Sequence, residues 1–264
     1  MFAYEFMCTA FVAAFLAALV CGPVGWFLVL RGQSFASHAL SHVGFAGAAA
    51  ALLWGEPAFL GFGLSAVLSG MGMGVASDRF VGRDVMIGLV LSLAMGIGAL
   101  CLHFLTHSAG AATALLFGDI LGIAPSSLYW LGALAIGCVM GLAVMSRPLL
   151  FASLQPEVAE AKGVNLRLLD VLFLALVGIA SAMCSQITGV LLVFTLMVAP
   201  AAASLRLGLG PMQGMAAAFA LALFEAWGGL CLSWLTDCPA SFWIALLGSV
   251  VFAAANGIAH LRGR

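Results

Sequence analysis

The chain has 264 residues, of which 64% are hydrophobic and only 7% charged, whereas a soluble domain is roughly half apolar and about a quarter charged. That excludes a soluble globular fold. Nine Lys plus Arg against ten Asp plus Glu leave a formal net charge of -1, so no basic face exists to neutralise phosphates, and nucleic acid is excluded as a partner.

In chain order, the first apolar stretch begins near Phe6 behind Glu5, with no Lys or Arg before it. It lacks the basic start of a cleaved signal peptide and is expected to remain as a span. Charged residues then punctuate runs long enough for the roughly 20 residues that cross a hydrocarbon core. The runs are about 8 to 30, 38 to 54, 58 to 77, 85 to 107, 127 to 146, 168 to 186, 189 to 206, 211 to 234 and 240 to 261. The stretch from Val171 to Leu205 is too long for one helix, and Gln186, Thr188 and Gly189 offer a polar break for a tight hairpin. The expected fold is all-α: a polytopic helical membrane protein with about nine (eight to nine) transmembrane helices, forming one transmembrane domain over 1–264. The 32 Gly residues suit close helix contacts in lipid, where small residues let backbones approach. The seven Cys never form Cys-x-x-Cys, and they read as small apolar packing residues.

Lys and Arg accumulate on the cytoplasmic side of short loops. Arg31, then Arg79 and Arg83, then Arg147, Lys162 and Arg167, then Arg206, then Arg262 and Arg264 occupy alternate connections. The N-terminus is therefore expected outside and the C-terminus in the cytoplasm, with Glu5, Glu56 and Asp237 facing outward. The same alternation requires the segment from 109 to 124 to return to its own side, as a short interfacial or re-entrant helix.

The one substantial cytoplasmic connection is 148–167. Within it Gln155 to Gly163 reads as a short helix: Pro156 suits its first turn, Glu157 and Glu160 favour its N-terminal dipole, and Gly163 can end it. It is either an ordinary solvated loop helix or a peg for a cytoplasmic partner. Glu157, Ala159 and Gly163 match the Glu-Ala-Ala-x-x-x-Gly pattern of ABC importer permeases, with Val158 departing at the second position. The loop resembles their coupling helix, which seats in a groove of the ATPase subunit.

More specifically, the sequence resembles the metal-type family of ABC permeases, importers of zinc, manganese or iron. Four further blocks carry the resemblance: Arg31 to Gly47 with its Ser-His, Leu116 to Pro125 with Leu-Phe-Gly-Asp, Gly189 to Ala203 with Gly-Val-Leu-Leu and Pro-Ala-Ala-Ala, and Thr236 to Ala240.

Ionisable residues inside spans are costly and are default candidates for a transport path. His38 and His42 stand four apart at the start of the second span, so a helix stacks both imidazoles on one face. Neutral imidazole is a good ligand for a divalent transition metal. The other reading of the pair is two helix–helix hydrogen bonds near the interface. The family usually carries Asp where His38 stands, followed by the Ser-His that Ser41 and His42 match. That replacement shifts a site away from hard oxygen ligation. Asp119 reads either as a carboxylate lining or gating the ion path, or as a helix cap or outer ion pair. His103 and His107 can receive metal first or sit as ordinary interfacial residues. Glu225 is expected to serve as a structural partner for a Ser, Trp or backbone group. Gly88 stands where relatives often place an acid, and Met71 and Met73 read as packing residues. The expected metal contacts are His38, His42 and Asp119, and the expected partner contacts are Glu157, Ala159 and Gly163.

No Walker-type phosphate loop, His-Glu-x-x-His or Gly-x-Ser-x-Gly occurs, so the chain is not expected to be an enzyme and ATP hydrolysis must lie on another polypeptide. The resemblance implies the permease subunit of an importer for divalent zinc, manganese or iron, working by alternating access. A separate ATPase subunit, an extracytoplasmic metal-binding protein, the lipid bilayer and a second copy of the chain are its expected partners. No cofactor is expected to stay bound, only the transported ion, and a bacterial inner membrane is the expected location. A permease for a metal chelate such as a siderophore or haem is the alternative, and a proton-coupled secondary transporter using Asp119 and Glu225 is a third reading.

Overall fold

The computed structural model describes residues 4–76, 83–105, 116–118 and 120–261. Among them the chain is helical with no strand. In order the helices are α1 (Glu5–Leu30), α2 (Ser34–Leu53), α3 (Ala58–Ala76), α4 (Arg83–Phe104), α5 (Pro125–Leu154), α6 (Pro156–Ala161), α7 (Leu166–Thr188), α8 (Val190–Arg206), α9 (Pro211–Thr236) and α10 (Ala240–Leu261). Eight are long and apolar enough to cross a membrane. The apolar α8 has 17 residues, about 26 Å of helix, at the lower limit for a span. The expected all-α polytopic architecture is therefore the observed one. Helix is what such runs must form, because lipid offers no partner to an exposed backbone N–H or C=O.

Residues 1–3, 77–82, 106–115, 119 and 262–264 lie outside the described set. Arg79, Arg262, Arg264, His107, Asp119 and half of the 109–124 segment fall there.

α1 lies at the centre of the bundle. Ala10, Ala13, Ala14, Ala17 and Ala18 are all fully buried, and α5, α7, α8 and α9 pack around them. α2, α3 and α7 form a second group, with α4 laid against α2. In lipid no hydrophobic force drives helices together, so close backbone approach must supply dispersion instead. The α3–α7 seam shows how: a Cβ on Gly74 would stand 2.6 Å from Val171 Cα, and one on Gly178 would stand 2.8 Å from Ala66 O. Leu89, Leu93 and Leu100 of α4 face outward, as lipid-facing side chains should.

Ring and hydrogen-bond contacts fix the ends of the bundle. Arg31 reaches Ser153 and Asp170, which places the end of α1 beside the end of α5 and the start of α7. Tyr4 stacks on Trp234 at 5.7 Å, so the start of α1 meets the end of α9. Ser204 Oγ donates to Gly214 O at 2.6 Å, joining the end of α8 to the start of α9. Arg31, Lys162, Arg167 and Arg206 consequently gather toward one end, as their spacing predicts.

Three expectations need correction. α5 does not stop near Met145 but continues through Arg147 and Pro148 to Leu154, so 148–167 is mostly helix. Burial of Leu149 and Ala152 outweighs the missing proline N–H, a loss that membrane helices tolerate when neighbours pack against them. The run from 168 is not charge-free, because Asp170 sits in the first turns of α7. Finally, the break between α7 and α8 is one residue: Gln186 and Thr188 stay helical, and Gly189 alone turns the chain at φ 80, ψ 159.

Of the cysteines, Cys21, Cys101, Cys138 and Cys184 are buried, and none of the described ones is in a disulfide. Cys21 and Cys184 face each other between α1 and α7 with Sγ atoms 3.1 Å apart.

Candidate functional site

α2 starts at Ser34, so His38 and His42 follow one and two turns later and share one helix face. Their ring centroids are 4.6 Å apart at 85°. Phe194 of α8 closes the His38 side, edge to face at 5.2 Å. His42 is buried at 6% exposure and His38 is half-buried. The neighbouring hydroxyls offer these rings nothing: Ser37 Oγ donates to Ser34 O at 2.9 Å and Ser41 Oγ to Ser37 O at 3.0 Å. Nδ1 of both histidines is buried without a hydrogen-bond partner among the described residues.

A buried polar atom left without a partner costs free energy, and native structures keep such atoms mainly where a further ligand or water completes them. The reading of His38 and His42 as two helix–helix hydrogen bonds is not what this geometry shows. What remains is a pair of neighbouring imidazoles, each with a buried Nδ1 that has no partner among the described residues. Among the described residues no third His, Cys, Asp or Glu joins them into a group of three. Asp119, the remaining predicted metal contact, lies outside the described set.

Residues 116–118 are held at the opposite end of α7 from Arg31. Gly118 and Gly189 lie backbone to backbone: a Cβ on Gly118 would stand 2.5 Å from Thr188 C, and one on Gly189 would stand 2.6 Å from Leu116 O. Beside this contact a cavity of about 200 Å³ opens between Phe117, Ile120, Thr188, Leu192 and the start of α10 at Ala240 and Ser241.

α6 forms where the sequence places it. Pro156 opens the helix, and Gly163 closes it at φ 85. Gly163 N donates to Glu160 O at 2.9 Å and Val164 N to Ala159 O at 3.0 Å, the paired bonds of a Schellman cap. Ala159 is fully buried, while Glu157, Val158 and Glu160 are exposed. Lys162 rests its ammonium over the Phe151 ring at 5.5 Å.

Glu225 departs from expectation. It is fully buried in α9, yet neither carboxyl oxygen has a hydrogen-bond partner among the described residues. The expected Ser, Trp or backbone donor is missing because small residues face it. A Cβ on Gly248 of α10 would meet Glu225 Oε2 at 3.2 Å, Ala199 Cβ at 3.4 Å and the methyl of Thr195 at 3.0 Å. His103 is exposed near the end of α4, its ring 5.5 Å from Phe104. Sequence reasoning passed over Asp170, whose signal was present: opposite charges within a few residues of two span ends predicted on the same side.

An all-α multi-pass membrane protein with paired imidazoles inside its bundle is the class these features define. The chain belongs to the ABC 3 transport family, whose model matches residues 3–258, and so to the metal-type ABC permeases. It is 31% identical to a "Probable metal transport system membrane protein" of Treponema pallidum, over 95% of this chain and 94% of that one. It is 26% identical to the "Manganese transport system membrane protein MntC" of Halalkalibacterium halodurans, over 96% of this chain and 87% of the relative. Its fold superposes on a chain of the solved structure "PsaBC from Streptococcus pneumoniae in complex with Fab" with a TM-score of 0.85 at 21% identity, covering 96% of this chain and 91% of that one.

Proposed function

We propose that the chain is the membrane permease of an ATP-driven importer of a divalent transition metal, with manganese the first ion to test. The observation that carries this reading is the His38–His42 pair, two buried and unpartnered imidazole nitrogens in a chain of the metal-type family. The ion is cargo, held in passing by His38, His42 and Asp119 and released when the helices change arrangement. α6 docks a separate ATPase subunit through Glu157 and Gly163 together with the exposed Val158 and Glu160, whereas Ala159, expected as a partner contact, is buried and packs inward instead. An extracytoplasmic binding protein delivers the metal, and two copies of the chain enclose the path.

The test is reconstitution of the chain with its ATPase subunit and binding protein in sealed vesicles. Mn(II) uptake should require ATP and all three components. Gly163→Pro should assemble but hydrolyse ATP without uptake, because Pro cannot adopt φ 85 and removes the N–H that caps α6. ATP-independent uptake driven by a proton gradient would sink the proposal.

The basic end of the bundle is assigned to the cytoplasm. In a background with Cys8 and Cys238 replaced by Ser, Glu160→Cys should react with a membrane-impermeant maleimide only in inside-out vesicles. Glu56→Cys should react only in right-side-out ones. Labelling of both from one face would overturn the orientation.

A further inference from the structure

Between α6 and the His38–His42 pair lies an ion pair with no role so far in transport. Arg31 ends α1, and only Gly32 and Gln33 separate it from α2. Its Nη2 donates to Asp170 Oδ1 near the start of α7. Its Nη1 donates to Ser153 Oγ near the end of α5 at 3.3 Å, and the guanidinium lies over the Phe173 ring at 5.7 Å. Arg31 and Asp170 are only 11% and 14% exposed.

One guanidinium thus joins the two helix ends that flank α6. α5 runs into α6 through Gln155 alone, and four residues lead from α6 to α7. The burial of Ala159 and the Lys162–Phe151 contact hold α6 against these ends. A force applied to α6 therefore reaches Ser153 and Asp170, and through them Arg31. His38 lies seven residues beyond Arg31, on the helix that Arg31 leads into. Stability alone is a poor account of the placement, since a buried ion pair often stabilises no better than apolar side chains of the same volume.

We infer that Arg31 and Asp170 are positioning residues that carry the movement of α6 to the His38–His42 pair. The inference rests on the proposed function, in which α6 is the docking element. The guanidinium is suited to the role because it is always charged and presents donors in a rigid fork, so it can hold a carboxylate and a hydroxyl on different helices at once. Neither residue touches the ion.

The experiment uses the assembled complex in vesicles with Mn(II) as the probe, and reads Mn(II) imported per ATP hydrolysed. Asp170→Asn and Arg31→Gln should each lower that ratio by at least about fivefold, the smaller end of ordinary coupling between sites. ATP hydrolysis, yield and equilibrium Mn(II) binding should stay near parental, which a merely structural role would not predict. The charge swap Arg31→Asp with Asp170→Arg should recover the ratio to within about threefold, as expected of two residues that act through each other. Parental ratios in both single variants would overturn the inference, as would a swap that stays uncoupled. Where the single variants fail to assemble, the swap alone decides: a coupled swap supports the inference and an uncoupled or unassembled one overturns it. A parent complex that hydrolyses ATP but imports no Mn(II) would count instead against the proposed function.

Discussion

His42→Ala is expected to abolish Mn(II) uptake while leaving assembly with the ATPase intact. The buried ring makes no hydrogen bond through Nδ1, so its loss removes no such partner and leaves mainly a small void beside His38. The loss of function should be disproportionate. Removing even an outer partner of a metal ligand costs roughly 10–100-fold in affinity, so removing a ligand should exceed about 100-fold. His38→Asp keeps a metal-ligating side chain at this position and should retain uptake, with preference shifted toward the harder Mn(II) over Zn(II) because a carboxylate replaces an imidazole. Since only neutral imidazole can ligate, parental uptake should weaken as the outside is acidified, and less so in His38→Asp. Initial rates of Mn(II) and Zn(II) uptake across a pH series would check all three. If His38→Ala, His42→Ala imports at the parental rate, the pair is packing, and the path runs past Asp119 or His103 instead.

Gly189→Ala is expected to destabilise the protein by about 4 kcal/mol, adding strain from a glycine-only conformation to overpacking, each worth roughly 1–3 kcal/mol. Its φ of 80 with ψ of 159 lies where side chains are excluded, and the added methyl would stand 2.6 Å from Leu116 O. The neighbours are backbone, so no rotamer change can relieve the clash. Gly63→Ala is the control: nothing lies within 4 Å of its added Cβ, and in mid-helix Ala is favoured by about 1 kcal/mol. Thermal unfolding in detergent should show a large loss for the first and none for the second. Equal melting temperatures would mean that the Gly118–Gly189 contact is not the close approach described.

The sequence was most informative about what lipid enforces. Charge-free runs must become helices because nothing else satisfies their backbone there, so α2, α3, α9 and α10 lie within a few residues of the runs that predicted them. α6 was equally legible, because its proline start and glycine stop are local signals. The stacking of His38 on His42 followed from spacing alone.

Elsewhere the local signals misled. Pro148 and Arg147 look like a helix end, and only the burial of Leu149 and Ala152 against other helices carries α5 past them. Glu225 looked like a residue with a partner, since nothing in its own helix says that Gly248 and Ala199 will face it. Asp170 was lost in an apolar run because its importance depends on Arg31, 139 residues away. By itself the sequence determined which segments form long apolar helices, where α6 begins and ends, and which two imidazoles share a face, because each depends on interactions within a few residues. Which helices touch, that Nδ1 of both histidines is left without a partner, and that Arg31 joins α5 to α7 were decided only by tertiary packing, which brings together groups whose spacing along the chain carries no trace of their meeting.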